Sequence, residues 1–222
     1  MELSAILDIK PGVTAIIGGG GKTTLMFTLA DELKSAGTVI VCTSTRIWIP
    51  EHIPVLCGTD ETVLRDVLRD APVVCVGVNA GEGKLKAPTC SFERLAELAQ
   101  YVLVEADGSN GLPMKAHAPD EPVIPDAAEQ TILVIGASGF GRTIHDAAHR
   151  PALYAKLADS EESSIITPER AVRVVLAERL HDRVFVNQVE SERLFEAAKT
   201  LKSLLNCPVC VGSLHSGEFL TL

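Results

Sequence analysis

Aromatic rings, surplus positive charge and long apolar runs are all scarce in this chain. Aromatic residues make up 4% of its 222 positions, while 46% of the residues are hydrophobic. That hydrophobic share is carried mostly by Val, Ile, Leu and Ala, the composition of a parallel sheet covered on both faces by helices. Lys and Arg number 20 against 29 Asp and Glu, a formal net charge of −9. A chain so acidic is not expected to bind duplex nucleic acid or an anionic membrane, because both attract basic surfaces. No apolar stretch reaches the length of a bilayer span. The segment from Met1 to Pro11 carries Glu2, Asp8 and Lys10 instead of the basic start and apolar core of an export signal. A soluble cytoplasmic protein is therefore expected. Without an export signal, the six cysteines are not expected to form a disulfide framework.

What is present is an alternation of strands and helices. Val13 to Ile17 reads as a buried strand. Four glycines follow, and Lys22 to Ala36 reads as a helix ended by Gly37. Thr38 to Thr43 reads as a second strand, giving a βαβ unit and a parallel pair. Further helices are expected over Glu61 to Asp70, Ser91 to Gln100, Pro151 to Ala158, Pro168 to Leu180 and Ser191 to Leu205. Further strands are expected over Pro72 to Val78, Tyr101 to Glu105, Thr131 to Ile135, Arg183 to Asn187 and Pro208 to Gly212. Asn79 to Pro88 reads as a polar loop, and Asp107 to Asp126 as a long Gly- and Pro-rich one that carries function. With no linker, repeat or low-complexity tract, residues 1–222 are expected to form a single α/β domain: three layers, doubly wound around a mostly parallel sheet, of the P-loop NTPase type.

The strongest motif is Gly18-Gly19-Gly20-Gly21-Lys22-Thr23-Thr24. A strand running into glycines, then Lys-Thr, then a helix, brings backbone N–H groups and a helix N-terminus to bear on phosphate oxygens. Lys22 is placed to reach the β- and γ-phosphates of ATP or GTP, and the Thr23 hydroxyl to ligate Mg²⁺. The spacing departs from the usual G-x-x-x-x-G-K-[ST], because Ile16 stands where the first glycine belongs. The shorter G-x-x-G-K-T-T is the spacing of Mur-type ligases. Ile17 stands where partitioning-type ATPases carry their extra lysine.

Tyr101-Val102-Leu103-Val104-Glu105-Ala106-Asp107-Gly108 has the form of a Walker B strand, an apolar run delivering carboxylates beside the phosphate loop. Glu105 and Asp107 are two apart and would face the same way in a strand, suited to holding Mg²⁺ or orienting an attacking group. The run continues through Gly108-Ser109, Gly111-Leu112-Pro113-Met114-Lys115-Ala116, Pro119 and Glu121-Pro122-Val123-Ile124-Pro125. This block resembles the YqeC-type accessory proteins of selenium-dependent molybdenum hydroxylases. The resemblance also takes in Gly18 to Thr24, Thr43-Ser44-Thr45, Gly83 to Lys86, His149-Arg150-Pro151, Ile166-Thr167-Pro168 and Asn187-Gln188-Val189-Glu190. It implies a P-loop NTPase-like protein that helps mature a molybdenum enzyme, with the molybdenum cofactor and an apo-hydroxylase as partners. It leaves the reaction undefined and a homo-oligomer open.

Other features are weaker. Asn187 to Glu190 sits where GTPases carry N-K-x-D, so Asn187 is a candidate nucleotide contact, but Gln188 lacks the lysine's charge. Thr43 to Thr45 read equally as phosphate contacts or strand-end caps, and Arg46 as a group to stabilise transferring phosphate. Lys84, Lys86 and Lys115 could each grip an anionic substrate such as a pterin phosphate or carboxylate, or be plainly solvated. His145 and His149 are four apart, near a metal-ligand spacing, with His117 as a third partner in space. Cys207 and Cys210 form a lone CxxC, read chiefly as core.

Three functions fit these readings. The leading one is a Mg²⁺-dependent NTPase or NTP-dependent transferase serving molybdenum-hydroxylase maturation. In it Lys22, Glu105, Asp107 and Lys115 are the catalytic candidates, and Thr23, Glu105 and Asp107 the metal ligands. The others are a nucleotide-gated cofactor chaperone without hydrolysis and a Mur-like ATP-dependent ligase.

Overall fold

The computed structural model describes residues 2–58 and 60–222, so Met1 at the head of the leader reading lies outside the described residues. In chain order the elements are α1 (Leu3–Ile6), β1 (Gly12–Gly18), α2 (Lys22–Leu33), β2 (Val39–Thr43), β3 (Arg46–Trp48), β4 (Val55–Cys57), α3 (Glu61–Asp70), β5 (Val73–Gly81), β6 (Lys84–Lys86) and α4 (Phe92–Leu98). They continue with β7 (Tyr101–Glu105), β8 (Met114–Lys115), β9 (Ala128–Gly136), α5 (Ile144–Ala147), β10 (Ala148–His149), α6 (Pro151–Leu157), α7 (Pro168–Glu178), β11 (Arg183–Asn187), α8 (Glu192–Ser203), β12 (Val209–Ser213) and β13 (Glu218–Thr221).

Eleven strands form one sheet in the order β13-β12-β11-β9-β1-β7-β2-β5-β6-β3, with β4 pairing β5 off this path. The pairs from β12 to β5, and β4 with β5, are parallel. Antiparallel pairing is confined to β13, β6 and β3 at the two ends. The parallel core is apolar on both faces, and alternate residues feed different clusters, as a period of two requires. Ile16, Val134, Phe185 and Cys210 pack with α1 and α2 on one face. Their neighbours Ala15, Ile17, Leu133, Ile135, Val184 and Val186 pack with α5 to α8 on the other. Val13, Val102 and Val104 share that second face with α3 and α4. The expected three-layer α/β architecture is thus the one observed.

Three sequence expectations need correction. First, β1 and β2 are not neighbours. β7 lies between them and pairs with both, setting Glu105 level with Ile16 on one side and Thr43 on the other. A βαβ pattern is local, whereas strand insertion depends on a segment some sixty residues further on, which local pattern does not reveal. Second, Asn79 to Pro88 is not a loop. β5 runs on to Gly81 and turns into β6 through Glu82 and Gly83, whose φ angles of 54° and 70° make the two-residue turn that suits a right-twisted hairpin. Third, the Asp107–Asp126 loop is polar in sequence yet buried over Met114, Lys115, Ala116 and His117, where β8 pairs with β10. Helix ends elsewhere follow local chemistry. Ser91, Thr167 and Ser191 cap α4, α7 and α8, and Arg179, at φ 54°, stops α7 short of Leu180.

Candidate functional site

The glycine loop, Gly18 to Gly21, sits at the carboxyl end of β1. At Gly20, a Cβ would lie 2.4 Å from the Gly136 backbone, and φ is +82°, so only glycine fits. The amides of the first three glycines are used inside the protein. Gly18 N donates to Asp107 Oδ2 at 2.8 Å, Gly19 N to Val134 O at 2.9 Å and Gly20 N to Leu112 O at 3.1 Å. Gly21, at φ +119°, caps α2. The first turn of a helix leaves its N–H groups without intrahelical acceptors, so the donors free to meet an anion are those of Gly21, Lys22, Thr23 and Thr24. These four residues line a cleft of about 450 Å³, together with Glu105 and Gly108 to Gly111.

Glu105 ends β7 directly beside this helix start. Its Oε2 accepts a hydrogen bond from Thr23 Oγ1 at 2.6 Å. Burial pushes the Glu105 carboxyl above its ordinary value, against the pull of Lys22 and the Thr23 bond. Thr43 Oγ1 donates to the Glu105 carbonyl at 2.7 Å and Ser44 N to the same oxygen at 3.2 Å. The Thr43–Thr45 segment thereby caps the strand end and fixes Glu105 in place.

Asp107 lies two residues past the end of the strand, under the loop. It is fully buried. Its Oδ1 is 3.0 Å from Lys22 Nζ, and its Oδ2 is 2.6 Å from His117 Nε2 and 3.4 Å from Lys115 Nζ. Burial alone would raise the Asp107 carboxyl, but the His117 hydrogen bond and the Lys22 and Lys115 charges outweigh it and hold it below its ordinary value. Lys22 Nζ also donates to Gly18 O at 2.7 Å. From Asp107 the network branches. Lys115 donates to Gly108 O at 2.6 Å and pairs with Glu121 at 3.1 Å, which in turn holds Arg150 at 3.0 Å. His117 Nδ1 meets Glu178 of α7 at 2.9 Å, and its amide donates to the same carboxylate at 2.6 Å. Burial works to lower the His117 pKa, but the bonds to Asp107 and Glu178 prevail and raise it. The Glu121 carboxyl is held down by Arg150 and Lys115 against the effect of burial.

Sequence reasoning thus grouped Lys22, Thr23, Glu105, Asp107 and Lys115, and all five meet at this loop. Their surroundings differ. Lys22, Thr23 and Glu105 line the cleft, while Asp107 and Lys115 belong to the buried network. Asn187 stands behind the loop. Its Nδ2 donates to Gly20 O at 2.7 Å, and its Oδ1 accepts from Leu214 N at 3.0 Å, tying β11 and the β12–β13 turn to the loop. Gln188 takes a Ser138 hydrogen bond and Glu190 one from Ser213. His117, Glu121 and Glu178 carried no distinct sequence signal for this network. Among the described residues, His, Cys, Asp and Glu nowhere gather in threes able to hold a metal. His145 is exposed beside Glu162, and His149 sits half-buried in β10. The cysteines are free, and burial raises the Cys210 thiol to about 12, so the CxxC offers no ready thiolate.

Comparison with known proteins places the chain. The family model described as YqeC protein matches residues 14–152, more than half of the sequence, and the chain belongs to that family. The "Uncharacterized protein YqeC" of Escherichia coli (strain K12) is 33% identical over 156 residues. That match takes in 67% of this chain and spans 61% of the relative's length. Among solved structures, the signal recognition particle 54 kDa protein from Aeropyrum pernix K1, in complex with GDP, aligns with 96% of this chain and 44% of its own. The identity is 15% and the TM-score 0.45. Among the described residues, no helix is long and apolar enough to cross a membrane.

Proposed function

We propose that this protein is a Mg²⁺-dependent, ATP- or GTP-binding NTPase or NTP-dependent transferase, a single P-loop domain that serves the maturation of a selenium-dependent molybdenum hydroxylase or its cofactor. One observation carries the nucleotide part. The free amides of Gly21 to Thr24 share a cleft with a hydroxyl and a carboxylate already 2.6 Å apart, and Lys22 lines the same cleft. Thr23 and Glu105 supply hard oxygen donors, and Mg²⁺ in phosphate sites takes one or two protein ligands beside substrate phosphates and waters. That donor set fits the ion. When bound, Mg²⁺ would neutralise charge on the phosphates. Because burial raises the Glu105 carboxyl, a nearby cation would favour its ionised form.

In this reading the chain's residues divide the work. The amides of Gly21 to Thr24 hold phosphate oxygens and Lys22 balances their charge. Glu105 and Thr23 would hold the metal, and Glu105 would also orient a nucleophile in the cleft. Asp107 is a positioning residue. It anchors Lys22 and the Gly18 amide from beneath, and Lys115 and His117 keep it ionised. Asn187 braces the loop through Gly20. The maturation role comes from the resemblance of the Glu105–Pro125 block to YqeC-type accessory proteins. The chaperone reading draws on the ion network, which runs from Lys22 to Arg150 and to Glu178 in α7 and could couple loop occupancy to a partner-facing surface. Turnover separates the two. The enzyme reading expects Mg²⁺-dependent hydrolysis or transfer above background once apo-hydroxylase and cofactor are added. Tight triphosphate binding with background turnover under those conditions would favour the chaperone.

A further inference from the structure

The β3–β6 extension carries a patch that the triphosphate reading leaves unused. In the antiparallel pair, Arg46 stands opposite Lys86 and Trp48 opposite Lys84. These four residues therefore share one face of the ribbon, while Ile47 and Leu85 fill the other and are buried. The outward face is three cations and one tryptophan, on a protein of net charge −9. None of the three cations has an ion-pair partner among the described residues. Like charges directly opposite across two strands destabilise the pair, so Arg46 and Lys86 face each other at a cost that an anion would relieve.

Trp48 is 66% exposed, and the Lys84 ammonium sits 4.6 Å from its ring centroid, a cation–π contact. Arg46, Trp48 and Lys84 line the same cleft as Lys22, Thr23 and Glu105, so whatever rests on them lies across from the phosphate loop. The other side of Thr23 and Thr24 is different in kind. There a cleft of about 650 Å³ is lined by Phe27, His52, Leu214 and Phe219, with Asp31 and Glu32. That side offers aromatic and apolar surface to a nucleobase but repels a further anion. Two clefts thus meet at one helix start, one acidic and one cationic.

We propose that Arg46, Trp48, Lys84 and Lys86 form the binding site for a second substrate, a planar aromatic phosphate or carboxylate held with its ring on Trp48 and its anionic group among the three cations. The proposal rests on the phosphate-loop reading for the place of the triphosphate, and adds the class of molecule that faces it. The nucleoside end of the triphosphate then lies on the Phe27 side, away from Trp48.

Trp48 is the one tryptophan of the chain, so its fluorescence reports on this face directly. The full-length protein is first saturated with Mg²⁺ and a non-hydrolysable ATP analogue, with binding followed by calorimetry. It is then titrated with AMP, phenyl phosphate or inorganic phosphate. The expected result is little change in Trp48 emission with the analogue, saturable quenching by AMP and phenyl phosphate, and none by inorganic phosphate. The double substitution Arg46→Ala and Lys86→Ala should weaken AMP binding about tenfold, close to 1.4 kcal/mol. Full quenching by the analogue, with nothing added by AMP, would put the nucleotide's own base on Trp48 and overturn the proposal. So would the absence of saturable quenching by either aromatic phosphate in a protein that binds the analogue. A protein that binds neither ATP nor GTP analogue refutes the phosphate-loop reading itself, and calorimetry shows that result separately.

Discussion

Two sets of cations flank the start of α2, and they live under opposite rules. Lys22 and Lys115 lie beneath the phosphate loop, with Asp107 between them and His117 beside it, all nearly sealed from solvent. Arg46, Lys84 and Lys86 stand on the outer face of a hairpin and have no carboxylate partner among the described residues. A buried charge costs several kcal/mol unless its partners are close and its hydrogen bonds complete, so the inner set is bound to the protein's own acids. A solvated charge carries no such debt, and the outer set keeps its capacity for a ligand. Lys22 belongs to both worlds. Its amine is anchored by Asp107 and Gly18 O, yet it forms part of the cleft wall. In the proposed reading, a cation fixed in this way would lose little further freedom on meeting phosphate.

The comparison breaks most visibly at Asp107. Asp107→Ala removes the shared partner of Lys22, Lys115 and His117 and should lower unfolding free energy by about 3–5 kcal/mol in urea melts. A loss below about 1 kcal/mol would mean that the inner set is not held by this carboxylate.

The next test uses pH. The folded pKa of His117 is raised above the ordinary 6.5, so the protonated imidazole's contribution is complete below 6.5 and fades as pH rises through the folded value. The stability advantage of the wild type over His117→Gln should therefore shrink on going from mildly acidic to alkaline buffer. An advantage that grows with pH would contradict the pairing. Asp107 and Glu121 carry the opposite sign. Both folded values are lowered, so their contributions are present above the ordinary carboxylate range and are lost as pH falls through the folded values.

The smallest effect belongs to the outer set. Arg46→Ala with Lys86→Ala should leave unfolding free energy within about 0.5 kcal/mol of the wild type, with a slight gain where the facing charges are relieved. A cost of several kcal/mol would show that these residues serve the fold and would remove the contrast.

The inner and outer sets also differ in how far the sequence discloses them. The strand, glycines and Lys-Thr of residues 13–24 are contiguous, so the loop and its helix were legible from local pattern. Glu105 was legible because an apolar strand ends on it. The place of β7 between β1 and β2 was not, since strand order is set by packing across the whole sheet. The hairpin lay hidden because Lys84-Leu85-Lys86 is only three residues long, although its Glu-Gly turn and its alternation around Leu85 were readable. Lys115 reads from the sequence either as a catalytic or anion-gripping candidate or as a solvated loop lysine. Its burial follows from Glu121, Asp107 and the docking of β8 on β10, none of which a residue-by-residue reading weighs. His117 reaches Glu178 across 61 positions, a contact that exists only once α7 has packed on the sheet.

The central claim is that the α2 start binds a nucleoside triphosphate with Mg²⁺, and calorimetric titration with MgATP and MgGTP tests it most directly. Lys22→Ala should abolish or strongly weaken binding. Because that variant also strips Asp107 of a partner, Thr23→Val is measured beside it. Valine keeps the shape and removes the hydroxyl, so affinity should fall at least about tenfold in Mg²⁺ while the effect of adding Mg²⁺ disappears. The wild type should bind tightly and in a Mg²⁺-dependent way, and both variants should lose that binding. Folded Lys22→Ala and Thr23→Val proteins that bind the triphosphate as tightly as the wild type would contradict the claim.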